Sequence, residues 1–592
     1  MERKWTFHPH DEAGIRRLSG QLKISPLLAQ VLIARGITQA DSARSFLDAR
    51  LSDLHDPSEL PGINAAADLI VMAIHNKRRI TIYGDYDVDG VTGTSILWHC
   101  LQLSNATVDY YIPCRMEEGY GLNIAALQQL HEEDPRRLVV SVDCGIASVA
   151  EAAMAKAIGL DLIITDHHHI GAELPDALAL VHPRLPGSTY PFGELCGAGV
   201  AFKLAWAICQ RLGDGKKASP RMKEFLKQAV GLAALGTVAD VVPLQGENRI
   251  IVRYGLQTLR DQSTPGMKSL LRVAGLFDKP ELRADDIGFG LGPRINAAGR
   301  LGQARLAVEM LTTDNAERAT KLAEYLETLN NNRKTVERRI LKQAKEMVAD
   351  NPEWESHKTL VLAHHDWHPG VIGIVASRVT EEFGKPTILI ALRDDGTGQG
   401  SGRSWAGFDL YAGLASCRDH VLSFGGHKAA AGVRLKATAV ADVRATLATW
   451  AADNFHPTAS DTELRIDAEV LLSEVTFPAV RELERLGPFG QANPQPTFVA
   501  SRVELAEPPK TMGEGDRHLA IKVRQQGTTM RCIAFGRGDW AEQLQVTGGL
   551  ISITFAPVIS TYRGFNKVEL HLIDWKPSSI TPAVAARSTA SR

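Results

Sequence analysis

The sequence contains no Cys-x-x-Cys pair. Its seven cysteines, Cys100, Cys114, Cys144, Cys196, Cys209, Cys417 and Cys532, are scattered and odd in number. That argues against a disulfide framework and a thiolate zinc site, and for a reducing compartment. No window of about 18 apolar residues exists; the nearest stretch, 197–209, is short and carries Lys203. The N-terminus, Met1-Glu2-Arg3-Lys4-Trp5, leads into no apolar stretch, so no signal peptide is expected. The expectation is a cytoplasmic protein with no membrane partner. Overall basicity is missing as well. With 66 Lys and Arg against 68 Asp and Glu the net charge is −2, so any surface for nucleic acid must be local.

What is present is a chain of 592 residues, long enough for several domains with sizeable cores. Residues 1–55 look helical and amphipathic. From about 60 to 265 helical and strand patterns alternate: helix 63–75, strand 80–83, helix 91–103, strand 107–112, helix 124–131, strand 138–142, helix 147–157, strand 160–164. Such alternation predicts a parallel α/β sheet. A polar helix over 315–350 joins a second α/β region at 355–455 (strand 359–363, helix 372–383, strand 387–391). Five short strand patterns, 498–505, 518–523, 528–535, 550–555 and 567–573, suggest an OB-like barrel, a common holder of single strands. The charge balance agrees: 517–592 holds ten Lys and Arg against four Asp and Glu, a net +6.

The chemistry concentrates after the strand patterns. Asp85-Tyr86-Asp87-Val88-Asp89-Gly90 follows the first, and in an extended chain alternate carboxylates converge. Carboxylates about 4 Å apart repel by roughly 4 kcal/mol at an effective dielectric near 20, so the group must protonate, separate or hold a cation. The spacing copies the start of an EF-hand loop, but Ile96 stands where a bidentate Glu is needed and a strand leads in. A solvated acidic turn is the plain alternative for this stretch alone. Asp143 ends strand 138–142; Asp166, His167, His168 and His169 end strand 160–164; Asp240 ends the apolar segment 232–239. Ligands of open α/β sheets gather beyond the carboxyl ends of the strands. A lone histidine is more often a satisfied structural residue, but Asp-His-His directly after a strand favours metal ligation. Five or more mixed oxygen and nitrogen ligands suit two divalent ions about 3.5–4 Å apart, the arrangement for phosphoester hydrolysis.

Four of these motifs, Asp85-Tyr86-Asp87-Val88-Asp89-Gly90, Ser141-Val142-Asp143-Cys144-Gly145, Thr165-Asp166-His167-His168 and Val238-Ala239-Asp240, resemble the DHH phosphoesterase family. Four further stretches resemble its single-strand-specific exonucleases. They are Arg115 with Glu118-Gly119-Tyr120-Gly121-Leu122-Asn123, Arg294 to Arg300 with Asn296, Gly425 to Gly432, and Leu486-Gly487-Pro488-Phe489-Gly490-Gln491-Ala492-Asn493-Pro494. The resemblance implies an exonuclease with two Mn²⁺ or Mg²⁺ ions that removes nucleotides from the 5′ end of single-stranded DNA in recombination and repair. It implies Asp85, Asp87, Asp89, Asp143, His167 and Asp240 as ligands, with His168 also catalytic. It implies Arg115, Ser401 and Arg403 on the 5′-phosphate, His427 over the scissile phosphate, and Tyr120, Arg294, Asn296 and Arg300 on the strand. Its expected partners are a single-strand-binding protein and a helicase, and its expected state is a monomer. One departure is the third histidine, His169; which ring ligates, and whether Asp166 touches metal or orients a histidine, stays open.

Bland alternatives accompany several of these. Arg294 and Arg300 could pair with Asp285 or Asp286. His364, His365 and His368 around Trp367 read as an ordinary strand end in preference to a metal site. In the barrel Arg531, Arg537, Arg563 and Lys567 could track phosphates. Tyr562 and Phe565 could stack bases, and Phe535 could stack or fill the core. A DHH-type phosphodiesterase for very short oligonucleotides, and a catalytically silent scaffold, are the competing functions. The expected domains are a helical segment (1–55), a DHH-type catalytic domain (56–310), a connecting helix (311–352), a smaller DHHA1-type α/β domain (353–457), an OB-like barrel (458–576) and a disordered tail (577–592).

Overall fold

The structure is a computed structural model that describes residues 3–114, 118–213, 217–261, 264–456, 463–560 and 566–578. The chain divides into two compact units: one of residues 50–461 with 490–493, the other of residues 1–49, 462–489 and 494–592.

In the first unit a five-stranded parallel sheet runs in the order Thr107–Tyr111, Arg79–Gly84, Leu138–Val142, Asp161–Thr165, Ala179–Val181. Its central strands are buried along nearly their whole length, which is why they read as near-continuous apolar runs. The helix Val88–Leu103 is buried on almost every side and packs against the helices Gly197–Arg211 and Pro220–Ala239. A helix buried on almost every side lies in the interior, and here that carries the acidic motif at its N-terminus into the unit. The helix Ala316–Ala349 follows, capped by the Asn315 side chain, which accepts from Arg318 N–H at 3.0 Å. It leads to a second five-stranded sheet, ordered Ser423–Gly426, Ala430–Lys436, Thr397–Arg403, Thr387–Leu392, Leu360–His364, in which only the last two strands run parallel.

The other unit holds the barrel. Strands Phe498–Leu505, Ile551–Ser560, Lys567–Pro577, Thr528–Ala534 and His518–Gln525 pair in that order, and the pairs Glu504↔Arg524 and Leu505↔Val523 close the ring. Phe498 and Phe555 are buried in one continuous apolar cluster with Leu18, Leu28 and Leu32 of the N-terminal helices Glu12–Leu22 and Pro26–Ala34. The N-terminal segment thus shares the hydrophobic core of this unit. It also begins with a strand that the helical reading missed: Lys4–Phe7 pairs in parallel with Glu463–Ile466.

One local expectation is corrected. The three aspartates do not alternate along a strand: the helix starts at Val88, Asp87 is its N-cap and Asp89 lies in its first turn. The apolar segment that ends at Asp240 is the last part of the helix Pro220–Ala239. Convergence therefore comes from one strand-to-helix turn, two strand ends and one helix end. The expected tail beyond Ser578 lies outside the described residues.

Candidate active site

Each acidic group is aimed by backbone. The Asp87 carboxylate accepts from the N–H groups of Asp89 (2.9 Å) and Gly90 (3.1 Å), the geometry that starts a helix. Asp89 in turn accepts from Gly197 N–H (2.6 Å) and Ala198 N–H (2.8 Å), so the N-terminus of the helix Gly197–Arg211 steadies its charge. Position 197 needs glycine, because a Cβ there would lie 2.5 Å from the Asp143 side chain. Asp143 leaves its strand with φ +65, a conformation that Asp adopts more readily than most residues, and turns inward.

The side chains meet in three overlapping groups: Asp85 with Asp87 and Asp143; Asp89 with His167 and Asp240; Asp143 with His167 and His168. Within each group the ligand atoms lie within 4.8 Å of one another. His167 Nε2 is 3.2 Å from Asp143 Oδ1, 3.6 Å from Asp240 Oδ2 and 3.7 Å from Asp89 Oδ2. Yet neither His167 Nε2 nor Asp143 Oδ1, both buried, has a hydrogen-bond partner among the described residues. Carboxylate oxygens with one imidazole nitrogen form a donor set that suits hard divalent cations, and the two unmatched buried atoms face that position.

The electrostatics fit. Burial, and then Asp89, Asp87 and Asp85, push the Asp143 carboxyl well above the usual range. Burial with Asp89 and Asp87 pushes Asp240 up to about 8. Burial lowers His167 to about 4, which keeps its imidazole neutral. Asp166 behaves differently and is in none of the three groups. Its Oδ1 accepts from His168 Nδ1 at 2.7 Å and its Oδ2 from Ile146 N–H at 2.9 Å. Burial opposes both partners, but those hydrogen bonds prevail: Asp166 is held at about 2 and His168 is raised to about 9. Asp166 therefore orients His168. The backbone of this segment is pinned from behind, with Arg184 Nη2 donating to His167 O (2.9 Å) and His182 Nε2 2.8 Å from His168 O. Tyr120 OH lies 3.0 Å from His168 Nδ1 and 3.2 Å from Asp143 O.

A second polar site lies at the N-terminus of the helix Ile372–Phe383. Arg403 Nη1 donates to Ser401 Oγ (3.1 Å) and Gly402 O (2.7 Å). A Cβ at position 373 would stand 2.9 Å from Ser401 Oγ and 3.1 Å from Arg403 Nη2, so glycine there keeps the space open. Arg300 Nη1 donates to Gly370 O (3.0 Å) just before that helix. A helix N-terminus with a hydroxyl and a guanidinium suits a phosphate. His427, exposed near a hairpin tip, faces the third histidine of the motif: the His169 and His427 rings are 5.8 Å apart.

Family models match three stretches: the DHH family, N-terminal domain, at residues 79–237; the DHHA1 domain at 356–453; and the RecJ OB domain at 466–574. The single-stranded-DNA-specific exonuclease RecJ of Bacillus subtilis is 39% identical over 572 residues, 96% of this chain and 70% of that protein. The chain belongs to the RecJ family. Crystal structures of Thermus thermophilus RecJ superpose on it with a TM-score of 0.81 (complex with Mn²⁺, 32% identity, 98% of this chain and 81% of that one) and 0.75 (complex with Mg²⁺, 31%, 97% and 79%).

For a RecJ-family chain the remaining expected residues divide. Arg294 is committed within the protein: its guanidinium meets Glu327 Oε2 (2.5 Å), Gly290 O (2.6 Å) and Val273 O (3.3 Å), and its side chain is 11% exposed. Its acidic partner is Glu327, not Asp285 or Asp286. Asn296 is half-buried on the helix Gly292–Arg300. Arg531 pairs with Glu569 at 3.0 Å on the barrel surface. Phe535 is 57% exposed, between the rings of His518 and His571, so it does not fill the barrel core. His364 ends the strand Leu360–His364 and accepts from Asp366 N–H, an ordinary strand end. Arg115, Tyr562, Arg563 and Phe565 lie outside the described residues.

Sequence reasoning placed the helix 372–383 without the role of its N-terminus, and it missed Gly197, Ala198 and the pinning pair His182 and Arg184. Gly197 and Ala198 act through backbone N–H groups, and His182 and Arg184 act on backbone carbonyls, so neither leaves a pattern in the sequence.

Proposed function

We propose that this chain is a divalent-cation-dependent exonuclease that degrades single-stranded DNA from its 5′ end and releases 5′-mononucleotides. The observation that carries the reading is the joint position of Asp85, Asp87, Asp89, Asp143, His167 and Asp240, with two buried unmatched atoms at its centre. These residues would hold two ions, Mn²⁺ or Mg²⁺; the Thermus thermophilus RecJ structures are complexes with Mn²⁺ and with Mg²⁺. Such a pair supplies hydroxide near neutral pH and neutralises the charge of an in-line displacement.

The chain's own groups do the rest. His168, kept charged by Asp166, has its other ring nitrogen 3.2 Å from Tyr120 OH, and from there it would donate to a phosphoryl or leaving oxygen. Ser401 and Arg403, beside the N-terminus of Ile372–Phe383, take the terminal 5′-phosphate, with Arg115 completing the grip by family resemblance. Water adds to the next phosphorus and the bond from that phosphorus to the 3′-oxygen of the terminal nucleotide breaks. The shortened strand then carries a fresh 5′-phosphate that fits the same grip. His427 lies over the scissile phosphate, while Tyr120, Asn296 and Arg300 border its path. The barrel, through Arg531, Phe535 and Tyr562, holds the strand further along. The proposal extends to a cytoplasmic monomer that works in recombination and repair with a single-strand-binding protein and a helicase.

A phosphodiesterase for very short oligonucleotides would need no barrel, which is why that reading ranks second. Digestion of end-labelled single and double strands with Mn²⁺, Mg²⁺ or chelator tests the proposal. The expected result is mononucleotide release from 5′-labelled single strands with either cation and none with chelator. Preference for duplex or for 3′ ends would overturn it.

A further inference from the structure

The segment after Asp240 is held in an unrelaxed shape. Val241 adopts φ +60, a conformation that β-branched residues resist, and its side chain is 64% exposed, so packing within the protein does not compensate. Such a conformation persists only where surrounding structure fixes it from both sides. One side is the helix Pro220–Ala239, with Asp240 N–H donating to Gly236 O (2.9 Å) and Val241 N–H to Val238 O (3.3 Å). The other side is a turn from far along the sequence, Gly490 to Asn493. Leu244 N–H donates to Gln491 O (2.8 Å), and Gln245 Nε2 donates to Ala492 O (3.0 Å). Pro243 stiffens the span between.

The turn is itself rigid. Gly490 N–H donates to Asn493 O (2.9 Å), Asn493 N–H donates to Gly490 O (3.1 Å), and Ala492 takes φ +57. It seats directly on Leu244, which is buried: a Cβ at position 490 would lie 2.7 Å from Leu244 Cδ1. Residues 490–493 belong to the catalytic unit, whereas their sequence neighbours on both sides belong to the barrel unit. The fold thus lends four residues of the Leu486 to Pro494 motif to the catalytic unit, a placement that the proposed function does not use.

We propose that the Gly490–Asn493 turn is a positioning element for Asp240. By fixing Leu244 and Gln245 it sets the strap Val241 to Pro243, and through it the distance of the Asp240 carboxylate from His167. The inference rests on the reading of Asp240 as a metal ligand.

The test is Mn²⁺ titration of the full chain, with free Mn²⁺ read by electron paramagnetic resonance and single-strand affinity measured in chelator. Gly490→Ala forces a methyl into Leu244 and should weaken Mn²⁺ binding about tenfold, the size expected for a residue that orients a ligand. Single-strand affinity should stay at the parent value. Adding Leu244→Ala to Gly490→Ala removes the colliding group and should restore much of the Mn²⁺ affinity. Gln245→Ala, which deletes one hydrogen bond without adding bulk, should shift binding the same way by a smaller factor, and it serves if Gly490→Ala does not fold. Parent-like Mn²⁺ affinity in both Gly490→Ala and Gln245→Ala would overturn the proposal. So would a loss that Leu244→Ala fails to relieve. A parent chain that binds Mn²⁺ no better than Asp240→Ala would instead overturn the metal reading beneath it.

Discussion

His167 Nε2 and Asp143 Oδ1 stand 3.2 Å apart, each buried and neither hydrogen-bonded among the described residues. The two atoms come from neighbouring strand ends, Leu138–Val142 and Asp161–Thr165. A buried polar atom left unmatched costs about 1–3 kcal/mol, so the pair is a local weakness that a shared cation would remove. Saturating Mn²⁺ should therefore raise the melting temperature of the parent chain by several degrees, since a ligand at about 100 times its Kd contributes roughly 2.7 kcal/mol. The rise should largely vanish in Asp143→Asn, measured by calorimetry with and without Mn²⁺.

The same groups set a pH dependence. The Asp240 carboxyl, raised to about 8 by burial and by Asp89 and Asp87, opposes folding once ionised. Its effect on stability is absent at low pH and grows as pH climbs from the ordinary carboxylate range through 8. His168, raised to about 9 because Asp166 outweighs burial, adds stability that is present below the ordinary imidazole range and lost as pH rises through 9. Both act in one direction. Below about pH 6.5 the buried His167, lowered to about 4, works against them, so the effect is read above that range: in chelator the melting temperature should fall between about pH 7 and about pH 9, and Asp240→Asn should flatten the slope. A metal-free melting temperature that rises over this range would contradict the assignment.

At the helix that starts with Ile372, two substitutions should separate binding of the terminal phosphate from catalysis. Arg403→Ala removes the guanidinium, and Gly373→Ala fills the space beside Ser401 and Arg403. Each should raise KM for 5′-phosphorylated single strands by about tenfold or more, the loss of one charge-assisted contact, with a smaller change for 5′-hydroxyl strands. Steady-state kinetics on the two substrates checks this, and equal losses on both would remove the assignment.

Lys203, which interrupts the apolar run of its helix, finds its reason in the interior. Its ammonium donates to Glu247 Oε1 (2.5 Å) and His55 O (2.6 Å), while Tyr190 OH donates to the other oxygen of Glu247. The pair is fully buried, and it ties the helix whose N-terminus steadies Asp89, through Lys203, to the helix Gly246–Asp261, through Glu247. Glu247→Ala should cost about 3–5 kcal/mol in denaturant unfolding, because it strands a buried charge. The double change Lys203→Met with Glu247→Leu should recover most of that.

How much of this was legible depends on where the information sits. The central strands were readable because burial on both faces writes a continuous apolar run, and the barrel strands because turns separate them. The candidate ligand residues were readable because acidic and imidazole groups that follow apolar runs draw attention as a set. The geometry that joins them was not. Asp87 reads as extended chain, and only the N–H groups of Asp89 and Gly90 make it a cap. Lys4–Phe7 has no strand signature apart from its partner at Glu463–Ile466, more than 450 residues away. Arg294 carries the composition of a phosphate ligand, and only Glu327, on another helix, shows where its charge is used.

Asp143 belongs to two of the three ligand groups and so tests the central claim most directly. The measurement is release of mononucleotides from 5′-labelled single-stranded DNA by Asp143→Asn in saturating Mn²⁺, alongside its affinity for the same strand in chelator. The expected result is a fall of about 10³-fold or more in cleavage, consistent with loss of a shared ligand to both ions, with strand affinity unchanged. Cleavage at the parent rate would show that these side chains do not hold the catalytic ions.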